Sequence, residues 1–126
     1  RSSGTSADDP LMQKAAAFLL AHQGDDGGWS EHYTSCLEER YIEHPETQVV
    51  MTSWALLALM DILPSDHPAI ANGMVWLLKQ QKTDGSWPMQ AVNGVFFGAA
   101  MLDYRLYHTY FPVWALTRYN HNIQRV

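Results

Sequence analysis

The sequence predicts an all-α chain of helical hairpins, a segment of an α-solenoid or α/α barrel. Three observations predict it. One short pattern occurs twice, as Gln23-Gly24-Asp25-Asp26-Gly27-Gly28-Trp29 and as Gln81-Lys82-Thr83-Asp84-Gly85-Ser86-Trp87, 58 positions apart. Each copy has an aromatic residue five positions before its Gln, Phe18 or Trp76, followed by two leucines. Repetition at a fixed period of this length marks stacked modules. Apolar residues around the copies recur at helical spacing, and strand signals are weak throughout.

Asp8-Asp9-Pro10 reads as a helix start, an acidic cap with proline at the first helical position. Leu11, Ala15, Phe18 and Leu19 carry that helix to His22, with a stop at Gly24. A second helix opens near Thr47, a plausible cap, carries Val50, Trp54, Leu57 and Ile62, and stops before Pro64. A third starts after Ser65 or Asp66, holds Pro68 in its first turn and runs through Val75 and Leu78 to about Gln81. Gly94-Val95-Phe96-Phe97 leads into a fourth, reaching Tyr104 or Tyr107, and a last helix follows Pro112 and ends between Tyr119 and Asn122. Thr34 to Tyr41 and Met89 to Val95 read as irregular connections.

The repeated pattern has a structural explanation. Its Asp-Gly pair supplies the positive φ of a tight reversal after a helix. Its Trp (Trp29, Trp87) covers the apolar end of a hairpin. Its Gln (Gln23, Gln81) can donate to backbone carbonyls at a neighbouring helix end.

Length and composition set further bounds. At 126 residues, with 47% hydrophobic and 17% charged residues, the chain can form one small domain with a core. A net charge of -5 without a basic stripe argues against nucleic acid. The apolar runs Ala15 to Ala21 and Ala55 to Met60 are too short to span a bilayer, which leaves attachment to one membrane face open. One cysteine, Cys36, gives no internal disulfide and reads as a small buried residue. Residues 1–8, from Arg1-Ser2-Ser3-Gly4 onward, read as a linker or a cut end, with residues 9–126 as the folded part of a longer protein.

Local chemistry is sparse. His22, His32, His44, His67, His108 and His121 show no metal-ligand spacing, so no metal site is expected. No nucleophile motif surrounds a serine, and nothing local marks Cys36 as reactive. Asp25-Asp26 and Glu38-Glu39-Arg40 could be acid/base or magnesium groups, but the former fits a turn and the latter a structural ion pair. The C-terminal aromatics, Phe96, Phe97, Tyr104, Tyr107, Tyr110, Phe111, Trp114 and Tyr119, are mostly core by their spacing. Phe96 and Tyr104, eight positions apart, would share one helix face with no charge nearby. Such a pair could line an apolar pocket whose ring faces stabilise a carbocation.

These residues carry a family resemblance. The two Gln-to-Trp units resemble the QW repeats of the triterpene cyclases, the squalene–hopene cyclases and oxidosqualene cyclases. Gly27-Gly28-Trp29-Ser30-Glu31 and Ser35-Cys36-Leu37-Glu38-Glu39-Arg40-Tyr41 are similar to the family's GGWGE…SC-x-E-x-R-Y segment. Gly94-Val95-Phe96, Tyr104 and Phe111 to Tyr119 resemble its GVF…Y…FPxWALGRY block. Ser35-Cys36 and Gly-Val-Phe look closer to the oxidosqualene type. Ser30 and Thr117 depart from the family's usual glycines.

The resemblance implies an α/α barrel (toroid) segment, the C-terminal piece of an isomerase that cyclises squalene or 2,3-oxidosqualene through carbocations. It implies no metal and no organic cofactor. Phe96 and Tyr104 fall on cavity-lining, substrate-binding positions, while Gln23, Gly27, Trp29, Gln81, Gly85 and Trp87 are structural QW residues. The proton-donating Asp of the family lies in an Asp-Cys-Thr-Ala-Glu or Asp-x-Asp-Asp motif found nowhere here, so residues 1–126 alone are expected to be inactive. Expected partners are the remainder of the cyclase chain and a membrane surface, bound on one leaflet. That membrane would be the endoplasmic reticulum or lipid droplet in a eukaryote, or the cytoplasmic membrane in a bacterium. Two alternatives stay open: another α/α barrel isoprenoid enzyme of the prenyltransferase kind, and a non-catalytic helical scaffold.

Overall fold

The computed structural model describes residues 4–96 and 100–124, apart from the side chain of Phe96. Five helices and one hairpin follow in the order α1 Pro10–Ala21, α2 Ser35–Glu38, α3 Val49–Ile62, α4 Pro68–Lys79, β1 Gly94–Phe96, β2 Ala100–Leu102 and α5 Tyr107–Ile123. Asp9 caps α1 as expected, accepting the Leu11 N–H at 2.8 Å. His67 does the same for α4, its Nδ1 within 3.2 Å of the Ala69 nitrogen. Both helices then begin with proline, whose missing N–H costs nothing at that position.

α3 lies at the centre and packs against α1, α4 and α5. It is buried on nearly every side, through Val49, Val50, Leu56, Leu57, Leu59 and Met60 among others, as expected of a helix apolar all round. Ile70, Met74, Trp76 and Leu77 of α4, Trp29, Trp87 and Ala115 complete the core. Arg118 of α5 ties the far end of α3, bonding the Asp61 carboxylate and the Leu57 carbonyl oxygen (3.3 Å). Asn122 adds a bond to the Ser65 hydroxyl at 3.0 Å.

The duplication extends well beyond the turn pattern. At a shift of 58 positions α1 falls on α4, end to end, and the start of α3 falls on the start of α5. The turns share their main hydrogen bonds. Gly24 N donates to Gly28 O and Gly27 N to Gly24 O, as Lys82 N does to Ser86 O and Gly85 N to Lys82 O. Asp26 and Asp84 each accept the N–H two residues on. The Trp29 indole reaches Leu19 O at 2.7 Å and the Trp87 indole reaches Leu77 O at 2.9 Å. Gly27 and Gly85 take φ of 96° and 84°, the left-handed conformation the Asp-Gly pairs predicted.

Several expectations are corrected. Among the described residues between Gly94 and Tyr104 there is no helix. Gly94–Phe96 and Ala100–Leu102 form an antiparallel pair with Gly94 opposite Leu102 and Val95 opposite Met101. A Cβ at position 94 would lie 3.1 Å from the Leu102 oxygen, so glycine permits this close pairing. Phe96 and Tyr104 therefore share no helix face. α5 begins at Tyr107, not after Pro112, and keeps that proline inside its second turn. The lost hydrogen bond is offset by packing of Tyr107 and Phe111 on Trp54. Thr47 does not cap α3, whose N-cap is Gln48; its hydroxyl donates to Asp26 at 2.7 Å. α1 ends at Ala21 with His22 as its C-cap, so Gly24 serves the turn and not the helix stop. The connection expected between Thr34 and Tyr41 holds one short helix, α2, and Cys36 on it is exposed, not buried.

Gly27→Ala is expected to destabilise the protein by about 2–4 kcal/mol, combining left-handed strain with overpacking. A Cβ there would lie 2.9 Å from the Asn72 oxygen, which is backbone and cannot swing away. At Gly24 a Cβ would meet the movable Asp26 carboxylate at 3.0 Å and the Gly28 oxygen at an ordinary contact distance of 3.5 Å, so for Gly24→Ala chemical denaturation should show a loss of at most about 1 kcal/mol. Equal losses at the two glycines would refute this account of the turn.

Candidate functional site

The two repeats differ most in their connectors, and aromatic residues gather at the second one. After β2 the chain passes through Asp103, Tyr104 and Arg105 into α5. That helix presents Tyr107, Tyr110, Phe111 and Trp114 at spacings of three, four and seven, which is one helix face. Tyr104 meets Tyr107 edge-on at 4.9 Å between centroids. Tyr107 meets Trp54 of α3 at 5.7 Å and Phe111 at 5.1 Å, and Trp54 meets Phe111 at 5.3 Å. Phe111 stacks on Trp114 at 6.1 Å. Tilted and edge-on pairs of this kind hold rings in place beyond simple area burial.

Two hollows border this network. One, of about 160 Å³, is lined by Leu102, Asp103, Tyr104 and Tyr107. The other, of about 220 Å³, lies between α1 and α3, with Phe18, His22, Trp29, Tyr41, Met51 and Trp54 among its walls. Trp54 is common to both neighbourhoods, lining the second hollow while its ring meets Tyr107. In that second hollow His22 stands between two rings, 4.2 Å from Phe18 and 4.0 Å from Tyr41. The Tyr41 hydroxyl donates to the Ser30 carbonyl at 2.6 Å.

Burial raises the Tyr41 phenol above its ordinary value, reinforced by Glu43 and Glu31. Hydrogen bonding with Tyr104 raises that of Tyr110. His108, the α5 counterpart of Val50, is buried, and among the described residues neither ring nitrogen has a hydrogen-bond partner. Burial lowers its pKa, with Asp103 opposing, so the ring sits in the core as a neutral group.

Of the two substrate-binding candidates, Tyr104 is half exposed beside its hollow and belongs to the ring network. Phe96 has its backbone in β1 opposite Ala100, while its side chain lies outside the described residues, as does the whole of Phe97. The expectation that the aromatics are mostly core is corrected: Tyr104, Tyr110 and Trp114 are exposed, at 50%, 42% and 56%. Charges also stand closer than expected, since Asp103 and Arg105 flank Tyr104. The six QW residues Gln23, Gly27, Trp29, Gln81, Gly85 and Trp87 all lie in the two turns. Asp26 serves its turn and Thr47, and Glu38 pairs with Arg40 at 3.3 Å on the surface. Among the described residues no three His, Cys, Asp or Glu side chains are grouped as a metal site would need.

Sequence reasoning missed Trp54 and Tyr107 as the joint of the network. It also missed Gln90, which accepts the Val49 N–H at 2.7 Å and donates to Thr47 O at 2.8 Å, anchoring the second connector on the start of α3. The 58-residue shift would have flagged Tyr107, since it maps Val49 at the start of α3 onto it. No local pattern marks Gln90.

The family model for the squalene–hopene cyclase C-terminal domain matches residues 1–121. Lanosterol synthase of Homo sapiens is 38% identical over 109 residues, 86% of this chain and 15% of that protein. Squalene–hopene cyclase of Bradyrhizobium diazoefficiens is 40% identical over 118 residues, 92% of this chain and 18% of that protein. Cycloartenol synthase of Dictyostelium discoideum is 40% identical over 90 residues, 71% of this chain and 13% of that protein. The chain thus spans less than a fifth of the length of each of these relatives.

A histidine held neutral by burial binds fewer protons folded than unfolded, so stability should rise with pH. The contribution is complete above the ordinary value of about 6.5 and lost as pH falls below it. His108→Phe should flatten the decline in melting temperature between pH 7 and pH 5. An unchanged decline would show that His108 gains a proton without cost.

Proposed function

Because the chain belongs to the squalene–hopene cyclase C-terminal domain family, we propose that it supplies one wall of a cyclisation cavity in a longer enzyme. That enzyme closes squalene or 2,3-oxidosqualene into a polycyclic triterpene. The segment is one arc of an α/α toroid, residues 9–126 forming its C-terminal part and residues 1–8 a linker. The observation that carries the proposal is the ring network Tyr104–Tyr107–Trp54, open to a hollow at Tyr104 and braced behind by Phe111 and α3.

Polyene cyclisation needs a proton to start it and a dry, shaped surface that favours cationic carbon over water. An aspartic acid outside residues 1–126 delivers the proton in this reading. The quadrupole of an aromatic ring attracts a cation over its face without offering a lone pair that would trap it. Phe96 acts on the cations of the later rings and Tyr104 supports the same wall, its edge-on contact with Tyr107 stopping the ring from swinging away as charge moves past. No metal or organic cofactor enters the reaction.

Both cyclase types are represented at nearly equal identity, 38% and 40%, so the proposal takes in both substrates. The prenyltransferase alternative falls with family membership. Phe96 and Tyr104 packed wholly inside a core would favour the scaffold alternative; Tyr104 is instead half exposed beside a hollow. Among the described residues no helix is long and apolar enough to cross a membrane. The proposed attachment is to one leaflet through the full-length protein, at the endoplasmic reticulum or lipid droplet in a eukaryote and the cytoplasmic membrane in a bacterium. A hydrocarbon substrate dissolved in the bilayer makes such attachment useful.

In the full-length enzyme, Phe96→Ala should lower turnover by about 30-fold, the equivalent of a desolvated cation–π contact of about 2 kcal/mol. Product analysis should show incompletely cyclised triterpenes. Tyr104→Ala should shift products in the same direction, while Tyr104→Phe, which keeps the ring, should leave them unchanged. Wild-type product ratios in both alanine variants would sink the assignment. Residues 1–126 alone should give no cyclic triterpene from either substrate.

A further inference from the structure

The first N–H of α3 takes its partner from the far connector. Val49 is fully buried, and its N–H has no acceptor within its own helix, so it needs one elsewhere. The cap residue Gln48 does not serve it, because its side-chain oxygen takes the Glu31 N–H at 3.2 Å. Gln90, 41 positions on in the second connector, accepts the Val49 N–H at 2.7 Å instead. The other end of the same amide donates to Thr47 O at 2.8 Å and to the Glu46 carboxylate at 3.3 Å. Thr47 is itself held by its hydroxyl bond to Asp26. The first turn, the start of α3 and the second connector therefore meet at one side-chain amide.

The internal repeat does not explain this clamp. At the start of α5, Tyr107, the counterpart of Val49, gives its N–H to Tyr104 O at 2.9 Å, within its own connector. His32, the counterpart of Gln90, bonds Thr34 two residues away. What sets Gln90 apart is its place in the chain. Three residues separate it from β1, the strand that ends at Phe96. Gly94 is paired across the hairpin with Leu102, so the hairpin moves as one piece, and Gln90 ties that piece to α3. The same helix carries Trp54, the ring that meets Tyr107.

We propose that Gln90 is a positioning residue for the cyclisation, its amide setting where the hairpin that bears Phe96 stands against α3. The inference rests on the cavity-wall reading above. Only an amide makes all three contacts. A leucine makes none of them. A glutamate keeps the Val49 bond but cannot donate to Thr47 O, and it sets a second carboxylate beside Glu46. A wall ring displaced by about 1 Å meets the cation poorly, so the loss falls on turnover and product choice, not on substrate binding.

In the full-length enzyme, Gln90→Leu should lower kcat about tenfold, with KM changed by less than about twofold, and should raise incompletely cyclised products. Joined to Phe96→Ala it should add little to that variant's product shift, because both act through one ring. Gln90→Glu should fall between wild type and Gln90→Leu, and adding Glu46→Gln to it should bring products back toward wild type. Wild-type kcat and products in Gln90→Leu would overturn the proposal whatever its melting temperature, as would effects fully additive with Phe96→Ala. If Gln90→Leu does not fold, Gln90→Glu is read by the same two criteria. Normal products from both Phe96→Ala and Tyr104→Ala would remove the wall itself, whereas a shift in those with none at Gln90 removes only the positioning role.

Discussion

The indoles of Trp29 and Trp87 must each place an N–H away from water, and each does so by reaching back ten residues to a carbonyl in the last turn of the preceding helix. A buried donor without a partner is costly, and a last-turn carbonyl has no partner inside its own helix. The bond satisfies the indole donor; at Leu19 it is a second bond to an oxygen that also accepts the His22 N–H at 3.2 Å. It also fixes the angle at which the chain leaves the helix, because the indole cannot be satisfied from elsewhere. The left-handed glycine, the aspartate that receives the next N–H and the glutamine that closes the loop all follow from that geometry.

With the turns fixed, α3 has nowhere to go but the centre. It receives α1 and the Trp29 turn on one side and α5 on the other, and it shows almost no polar face. Where polar side chains do occur on it, they are used. Thr52 takes the Trp29 N–H at 2.9 Å, and Ser53 bonds back to the Val49 carbonyl at 2.7 Å. Trp54 is the exception on this helix, pointing its ring into the aromatic network. A rigid, apolar centre thus holds one side of a surface whose other side, from Tyr104 to Trp114, stays open. Exposed aromatics that the core does not need are the expected state of a wall that faces a cavity or a covering element in a larger protein.

The helices and turns were legible because their signals are local. Asp9-Pro10, Pro64 and the Asp-Gly pairs act through the backbone of the few residues around them. The second connector was not legible for the same reason. Gly94-Val95-Phe96-Phe97 has the apolar density of a helix, and its pairing with residues 100–102 depends on a contact across the loop. Pro112 misled because a helix breaker is judged by its neighbours, while here Trp54, 58 residues earlier in the chain, repays the lost bond. Of the candidate site, the importance of Tyr104 came from the family resemblance, and the joint at Trp54 and Tyr107 needed the packing of α5 on α3. Cys36 shows the limit of composition: a lone cysteine is usually buried, yet here it lies on a surface helix of four residues.

The two connectors, residues 30–47 and 88–105, are equal in length yet fold differently, one around a helical turn and the other as a hairpin. Each is held at both ends by the same frame, from the Trp turn to the start of the next long helix. Their contents can therefore diverge without moving the elements that flank them. For protein engineering this makes them segments open to redesign, provided that Gln90 keeps its bonds to Thr47 and Val49. A redesigned connector of eighteen residues has its end points set in advance, and only its interior has to be solved.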